Sequence, residues 1–211
     1  ASQTYGESSY ARSYSQVGGG YQNYVYGIWS TIGGGGQNAV YRAYATVRGG
    51  RYNIMFGYGS TISGGYANKI GYSGRQAMWG TIAGGRDNKI GYASASINTY
   101  HTTIGGGGYN TAYYTAATVA GGRFNSARGS YSYSAGGNTN SIQTGGSYSV
   151  IGGGYNNIVV YNYDTIHGGY QNRIYSRYSI IGGGQANYAF AYGTTISGGR
   201  QNSAYGYQSH V

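Results

Sequence analysis

Apolar residues recur along the chain in two columns, each at a fixed distance from an asparagine. Six residues before the Asn stands Val17, Ile32, Val47, Ile62, Ile82, Ile104, Val119, Ile151, Ile166, Ile181 or Ile196, with Ser134 in the one coil that departs. Two residues after it stands Val25, Val40, Met55, Ile70, Ile90, Ala112, Ala127, Ile142, Val159, Ile174, Ala189 or Ala204. The asparagines are Asn23, Asn38, Asn53, Asn68, Asn88, Asn110, Asn125, Asn140, Asn157, Asn172, Asn187 and Asn202, and each closes a Gly-Gly-x-x-Asn motif. The steps between them are 15, 15, 15, 20, 22, 15, 15, 17, 15, 15 and 15 residues. A period this short cannot hold a helix-turn-helix repeat of about 30 residues or more. It holds two short strands and two turns. β-Branched residues at the inward points fit a pleated, buried surface.

The expected fold is all-β: a parallel β-solenoid, or β-roll, of about twelve coils of mostly 15 residues. Coils pairing in parallel at ~4.8 Å would make a rod of roughly 58 Å. Residues 17–211 read as a single solenoid domain, and residues 1–16 as an incomplete coil or an exchange segment. The paired glycines supply the positive φ of a tight corner. The asparagines can bond the turn backbone and stack on one another as an amide ladder. Each coil donates about two inward aliphatics, worth roughly 1.5–3 kcal/mol apiece when large and fully buried. No coil is then stable alone, and stacking must supply the stability. All extra residues fall in the return arcs 71–80, 91–102 and 143–149, so one corner is fixed and the other admits insertions.

Composition alone suggests disorder: 44 Gly and 30 Tyr in 211 residues, with no Pro. The placement of the apolar residues removes that reading. With no Cys there is no disulfide framework and no thiolate metal site. No apolar run approaches the ~18 residues of a membrane span. The chain opens at Ala1 in mid-pattern, as a processed form or an excerpt would. The net charge of +10 favours polyanionic partners or simply solubility through repulsion.

Chemistry is sparse. The three acidic residues, Glu7, Asp87 and Asp164, are far apart in sequence, so no carboxylate pair is expected and no catalytic residues are assigned. His101, His167 and His210 lack ligand spacing, no Asp recurs per coil as a calcium roll requires, and neither metal nor cofactor is expected. Asp164 and His167 share a coil and read as a surface pair. A Thr column precedes the first apolar column without forming Thr-x-Thr, which makes a poor ice template. No Asn-x-Ser/Thr sequon occurs, which leaves O-linked or bound polysaccharide as the glycan options.

What recurs outside is aromatic and basic. The position after Gly-Gly carries Arg51, Arg86, Arg123 and Arg200 in four coils and Tyr21, Tyr66, Tyr155 and Tyr170 in four others, a candidate interaction surface. Three residues after Asn stand Tyr26, Tyr41, Phe56, Tyr113, Tyr175, Phe190 and Tyr205, and six after it Trp29, Tyr44, Tyr131, Tyr163 and Tyr178. Such columns become ladders on stacking. They either glue coils together or form a face that packs on other rods, glycans or nucleic acid.

Runs such as Ser60-Thr61-Ile62-Ser63-Gly64-Gly65-Tyr66-Ala67-Asn68-Lys69-Ile70-Gly71, and the run Thr118-Val119-Ala120-Gly121-Gly122-Arg123-Phe124-Asn125-Ser126-Ala127, resemble the head repeats of trimeric autotransporter (YadA-like) adhesins. The resemblance covers residues 17–211. It implies a left-handed parallel β-roll on a bacterial surface, with adhesion and trimerisation. At the ends, Val211 falls in the first apolar column of a thirteenth coil, and Tyr5, Tyr10, Tyr14, Tyr205, Tyr207 and Val211 are candidate assembly residues. The functional expectation is a structural, non-enzymatic subunit of an extracellular or cell-surface filament, a homopolymer joined head-to-tail or bundled. The alternatives are an adhesin head binding glycan or host matrix, and a polyanion (nucleic acid) binder.

Overall fold

The computed structural model describes residues 9–72, 77–91 and 99–211. The chain is an all-β parallel β-solenoid of about twelve coils, most spaced 15 residues apart. It divides into two compact units, Ala1–Tyr109 and Asn110–Val211.

Every strand among the described residues is two residues long. Successive side chains of a strand point to opposite faces. Most strands therefore set a partly exposed residue beside a buried one, as in Thr61–Ile62 and Ile158–Val159. In the first unit one sheet runs through Tyr24–Val25, Ala39–Val40, Ile54–Met55, Lys69–Ile70 and Lys89–Ile90, each paired in parallel with the next. The other runs through Gln16–Val17, Thr31–Ile32, Thr46–Val47, Thr61–Ile62, Thr81–Ile82 and Thr103–Ile104. The second unit repeats the scheme. One sheet runs from Thr111–Ala112 to Ser203–Ala204, the other from Thr118–Val119 to Thr195–Ile196.

Both apolar columns face inward. From Val25 to Ile196 their members are fully buried. Val17 is only partly covered, and Ser134 replaces the aliphatic in its coil with a buried hydroxyl that has no hydrogen-bond partner.

The coil is not two-sided, as the period suggested. The residue after each Gly-Gly forms a third parallel ladder of single bridges: Tyr21 to Gly36, Arg51, Tyr66, Arg86 and Gly108 in the first unit, and Arg123 to Asn138, Tyr155, Tyr170, Gln185 and Arg200 in the second. One extended residue per coil suffices, because its N–H reaches the second Gly carbonyl of the next coil, as Tyr155 reaches Gly169 at 2.9 Å.

Two corners of each coil adopt left-handed backbone, and the residues there are mostly not glycine. Among the described residues, 23 non-Gly positions have φ between 49° and 62°. They fall just before the Asn (Gln37, Tyr52, Phe124, Gln171) and in the return arc (Tyr44, Tyr131, Tyr163, Tyr178). This conformation costs an L-residue about 1 kcal/mol or more. It also turns the N–H around. Strand N–H groups donate to the following coil, as Tyr24 does to Asn38 O at 2.8 Å. Left-handed residues donate to the preceding one, as Gln37 does to Tyr21 O at 2.8 Å and Tyr148 to Ser130 O at 2.9 Å. Coils are thereby bonded in both directions, which satisfies backbone groups that a corner would otherwise strand.

The second glycine of each motif has φ between 79° and 91°. At Gly169 a Cβ would lie 2.2 Å from the Gly184 carbonyl oxygen and 2.7 Å from Asn172 Nδ2. Only a residue without a side chain lets successive corners approach this closely.

The insertions are more than bulges. Ala77–Met78 and Thr99–Tyr100, one from each of the two longer arcs, pair with each other in parallel. Before the first motif, Tyr10–Ala11 already pairs with Tyr24–Val25, so the solenoid begins upstream of residue 17.

Candidate functional site

The interior carries two polar ladders. The first is built by the motif asparagines, all fully buried except Asn202, which is partly exposed. Asn157 represents the pattern. Its Nδ2 donates to Gly153 O in its own corner at 2.9 Å and to Gly169 O of the next coil at 3.0 Å, while its Oδ1 accepts the Asn172 N–H at 2.9 Å. The same geometry recurs at Asn23, Asn38, Asn53 and Asn68 in the first unit and at Asn125, Asn140, Asn172 and Asn187 in the second. Asn88 and Asn110 also donate to the glycine carbonyl of the following coil. Asparagine alone supplies two donors and an acceptor on so short a stem.

The second ladder escaped the sequence reading. Eight residues before each Asn, a small side chain points inward at the opposite corner. Ser30 Oγ donates to Arg42 O at 2.9 Å and accepts the Ala45 N–H at 3.1 Å. Ser60 and Ser149 do the same with Ala77 O and Gly80 N–H, and with Tyr161 O and Asp164 N–H, all at 3.0–3.1 Å. The signal was a column of Ser, Thr, Ala and Gly directly before the Thr column.

Asp164 occupies this ladder. It is fully buried rather than half of a surface pair, and His167 is exposed. The reason is its register: position 164 faces inward with the serines, while position 167 lies outside, beyond the buried Ile166. Asp164 Oδ1 accepts the Ser179 N–H at 2.9 Å, and Oδ2 is buried with no hydrogen-bond partner. Burial pushes its pKa up to about 8, against the opposing pull of the Ser179 N–H and the Arg177 charge. At neutral pH it is therefore mostly an uncharged acid.

Outside, the aromatic columns are stacked. Tyr131, Tyr148, Tyr163 and Tyr178 follow one another at 5.0, 5.2 and 4.8 Å between ring centroids, tilted by 12° or less. Tyr148 lies eight residues after its Asn, because inserted residues shift it, so fixed spacing missed it. Tyr26, Tyr41 and Phe56 stack at 5.2 and 4.4 Å, and Tyr175, Phe190 and Tyr205 at 5.4 and 4.8 Å. Each offset pair contributes about 0.5–1.5 kcal/mol, enough to offset the left-handed backbone that aims many of these rings. In the column after Gly-Gly, Tyr155 and Tyr170 stack at 5.4 Å, Arg86 lies 5.6 Å from the Tyr66 ring and Arg123 lies 4.9 Å from Phe124. Tyr21, Arg51 and Arg200 in this column are exposed.

Of the candidate assembly residues, Tyr10 lies 5.7 Å from the Tyr26 ring, Tyr14 stacks on Trp29 at 4.7 Å and Tyr207 on Tyr192 at 5.3 Å. Tyr205 and Tyr207 are 71% and 68% exposed, and the carbonyl of half-exposed Val211 accepts the Ser197 N–H. Tyr5 lies outside the described residues. An open cleft of about 1010 Å³ lies against residues 11–18, Trp29 and Thr31.

Among the described residues no three His, Cys, Asp or Glu side chains gather as metal ligands would. No described helix is long and apolar enough to cross a membrane. No protein-family model and no curated protein sequence matches the chain.

Proposed function

We propose that the protein is a structural, non-catalytic subunit of an extracellular or cell-surface filament, assembled from copies of itself. One observation carries this reading: each coil is its own complement. The N–H and C=O groups, the asparagine amides and the ring columns that a coil presents to one neighbour are those its other neighbour uses. A coil at an exposed edge is then a template for a coil of a second molecule. The exposed Tyr and Arg columns favour the same partner, since rigid aromatic rings give contact area at low entropy cost. The likeness of the repeats to YadA-like heads supports a cell-surface location.

The test is the mass of the purified chain in solution against concentration. Light scattering should show growth into long assemblies. A stable monodisperse monomer at high concentration defeats the reading.

A further inference from the structure

Positive charge is concentrated along one corner of the first unit. Arg51 and Arg86 flank Tyr66 on successive rungs of the single-bridge ladder. On the strand that follows the same Asn corner, Lys69 and Lys89 are direct register partners. The four cations fall within three successive coils, those of Asn53, Asn68 and Asn88, so at ~4.8 Å per rung they span about 10 Å. Arg51, Arg86 and Lys89 are exposed and Lys69 is half-buried.

Among the described residues of the unit, one carboxylate stands against these four cations. Asp87 is the only carboxylate among the described residues of the unit, and its Oδ2 is already held by Arg86 Nε at 3.2 Å. Like charges on paired strand positions repel. The Lys69 pKa is accordingly lowered, first by burial and then by the Lys89 charge. A polyvalent anion laid along the rungs would relieve that repulsion.

We infer that this corner is a binding site for a sulfated polysaccharide lying along the stacked coils. Two features select this class. First, cations already sit against the aromatic rings here: Arg51 is 4.8 Å from the Tyr52 ring, Arg86 lies 5.6 and 5.8 Å from Tyr66 and Tyr109, and Lys69 Nζ is 3.9 Å from Tyr72. Single-stranded nucleic acid stacks its bases on ring faces, and here each of these rings already has a cation against it, so bases would have to compete with the protein's own charges. Second, the charges form two rows on fixed rungs. They match a rigid chain with more than one oxyanion per sugar pair better than a carboxylate-only chain with a single sparse row. Guanidinium groups then bind sulfate oxygens through paired N–H donors. The site stands whether or not the chain polymerises.

The probe is heparin, with the full chain. Wild type should bind with an affinity that falls steeply with salt. The double variant Arg51→Gln/Lys89→Gln should lose about tenfold or more in affinity and lower the log–log salt slope by roughly two. Arg177→Gln/Arg200→Gln removes equal charge from exposed positions of the second unit and should change affinity by less than about threefold, on the same counterion arithmetic. The inference is overturned if both double variants lose affinity equally, if oligothymidylate displaces heparin at equal charge concentration, or if wild type fails to bind at low salt.

Discussion

Replacing Asp164 by serine returns the inner hydroxyl ladder to its usual residue and removes the one buried carboxyl among the described residues. In the folded coil its pKa stands near 8 instead of the ordinary 3.8. The unfolded chain therefore releases this proton above about pH 4, while the folded chain holds it until about pH 8. The folded state binds more protons in that window, so stability falls as pH rises through it. The contribution is whole below pH 4, is lost through about pH 8, and is flat above. Four pKa units correspond to about 5 kcal/mol, a large share of the roughly 5–15 kcal/mol that holds an ordinary domain. Urea unfolding of wild type and Asp164→Ser at pH 4.5, 6 and 8.5 isolates the effect, because the remaining acids and histidines are common to both. The two should be similar at pH 4.5, and the variant should be more stable by several kcal/mol at pH 8.5. Exchange of the Ser179 amide, which donates to Asp164 Oδ1, should quicken with pH in wild type beyond the intrinsic rate. Parallel stability profiles for the two proteins would refute the burial argument.

Gly169→Ala should cost several kcal/mol, since its Cβ would meet the Gly184 carbonyl at 2.2 Å with φ at 91°, whereas Gly168→Ala opens into free space and should shift stability by less than about 1 kcal/mol in the same unfolding assay. Asn157→Ala strands the Gly153 carbonyl and the Asn172 N–H, and takes one of two donors from the Gly169 carbonyl, which keeps the Tyr155 N–H. At about 1–3 kcal/mol per stranded group, thermal melting should fall sharply. Ser134→Val removes a buried, unpartnered hydroxyl and restores the apolar column between Val119 and Ile151. A gain of about 1 kcal/mol is expected, read as a higher urea midpoint.

The strand columns were legible because period and chemistry coincide. Ile166 and Asn172 each recur in register with the same residue type, and the structure stacks them. The serine ladder was not legible, because a corner tolerates Ser, Thr, Ala or Gly in turn and no single residue type marks it. The third ladder was hidden for a similar reason: a position that uses only its backbone accepts Tyr21, Gly36 and Arg51 alike. Left-handed corners at Tyr131 and Tyr163 ran against the expectation that glycine takes positive φ. The ring ladders were legible from their columns, except for Tyr148, which inserted residues displace from the fixed spacing. Asp164 was misplaced because carboxylates ordinarily face water. Only its column, occupied by Ser149 and Ser179 on either side, gives its burial away.

Imaging the purified chain by electron microscopy, with diffraction from aligned material, bears most directly on the proposed self-templating coil. Self-templating coils would give unbranched filaments with a repeat of ~4.8 Å along the filament axis. Isolated particles of single-chain mass at high concentration, with no such repeat, would contradict it.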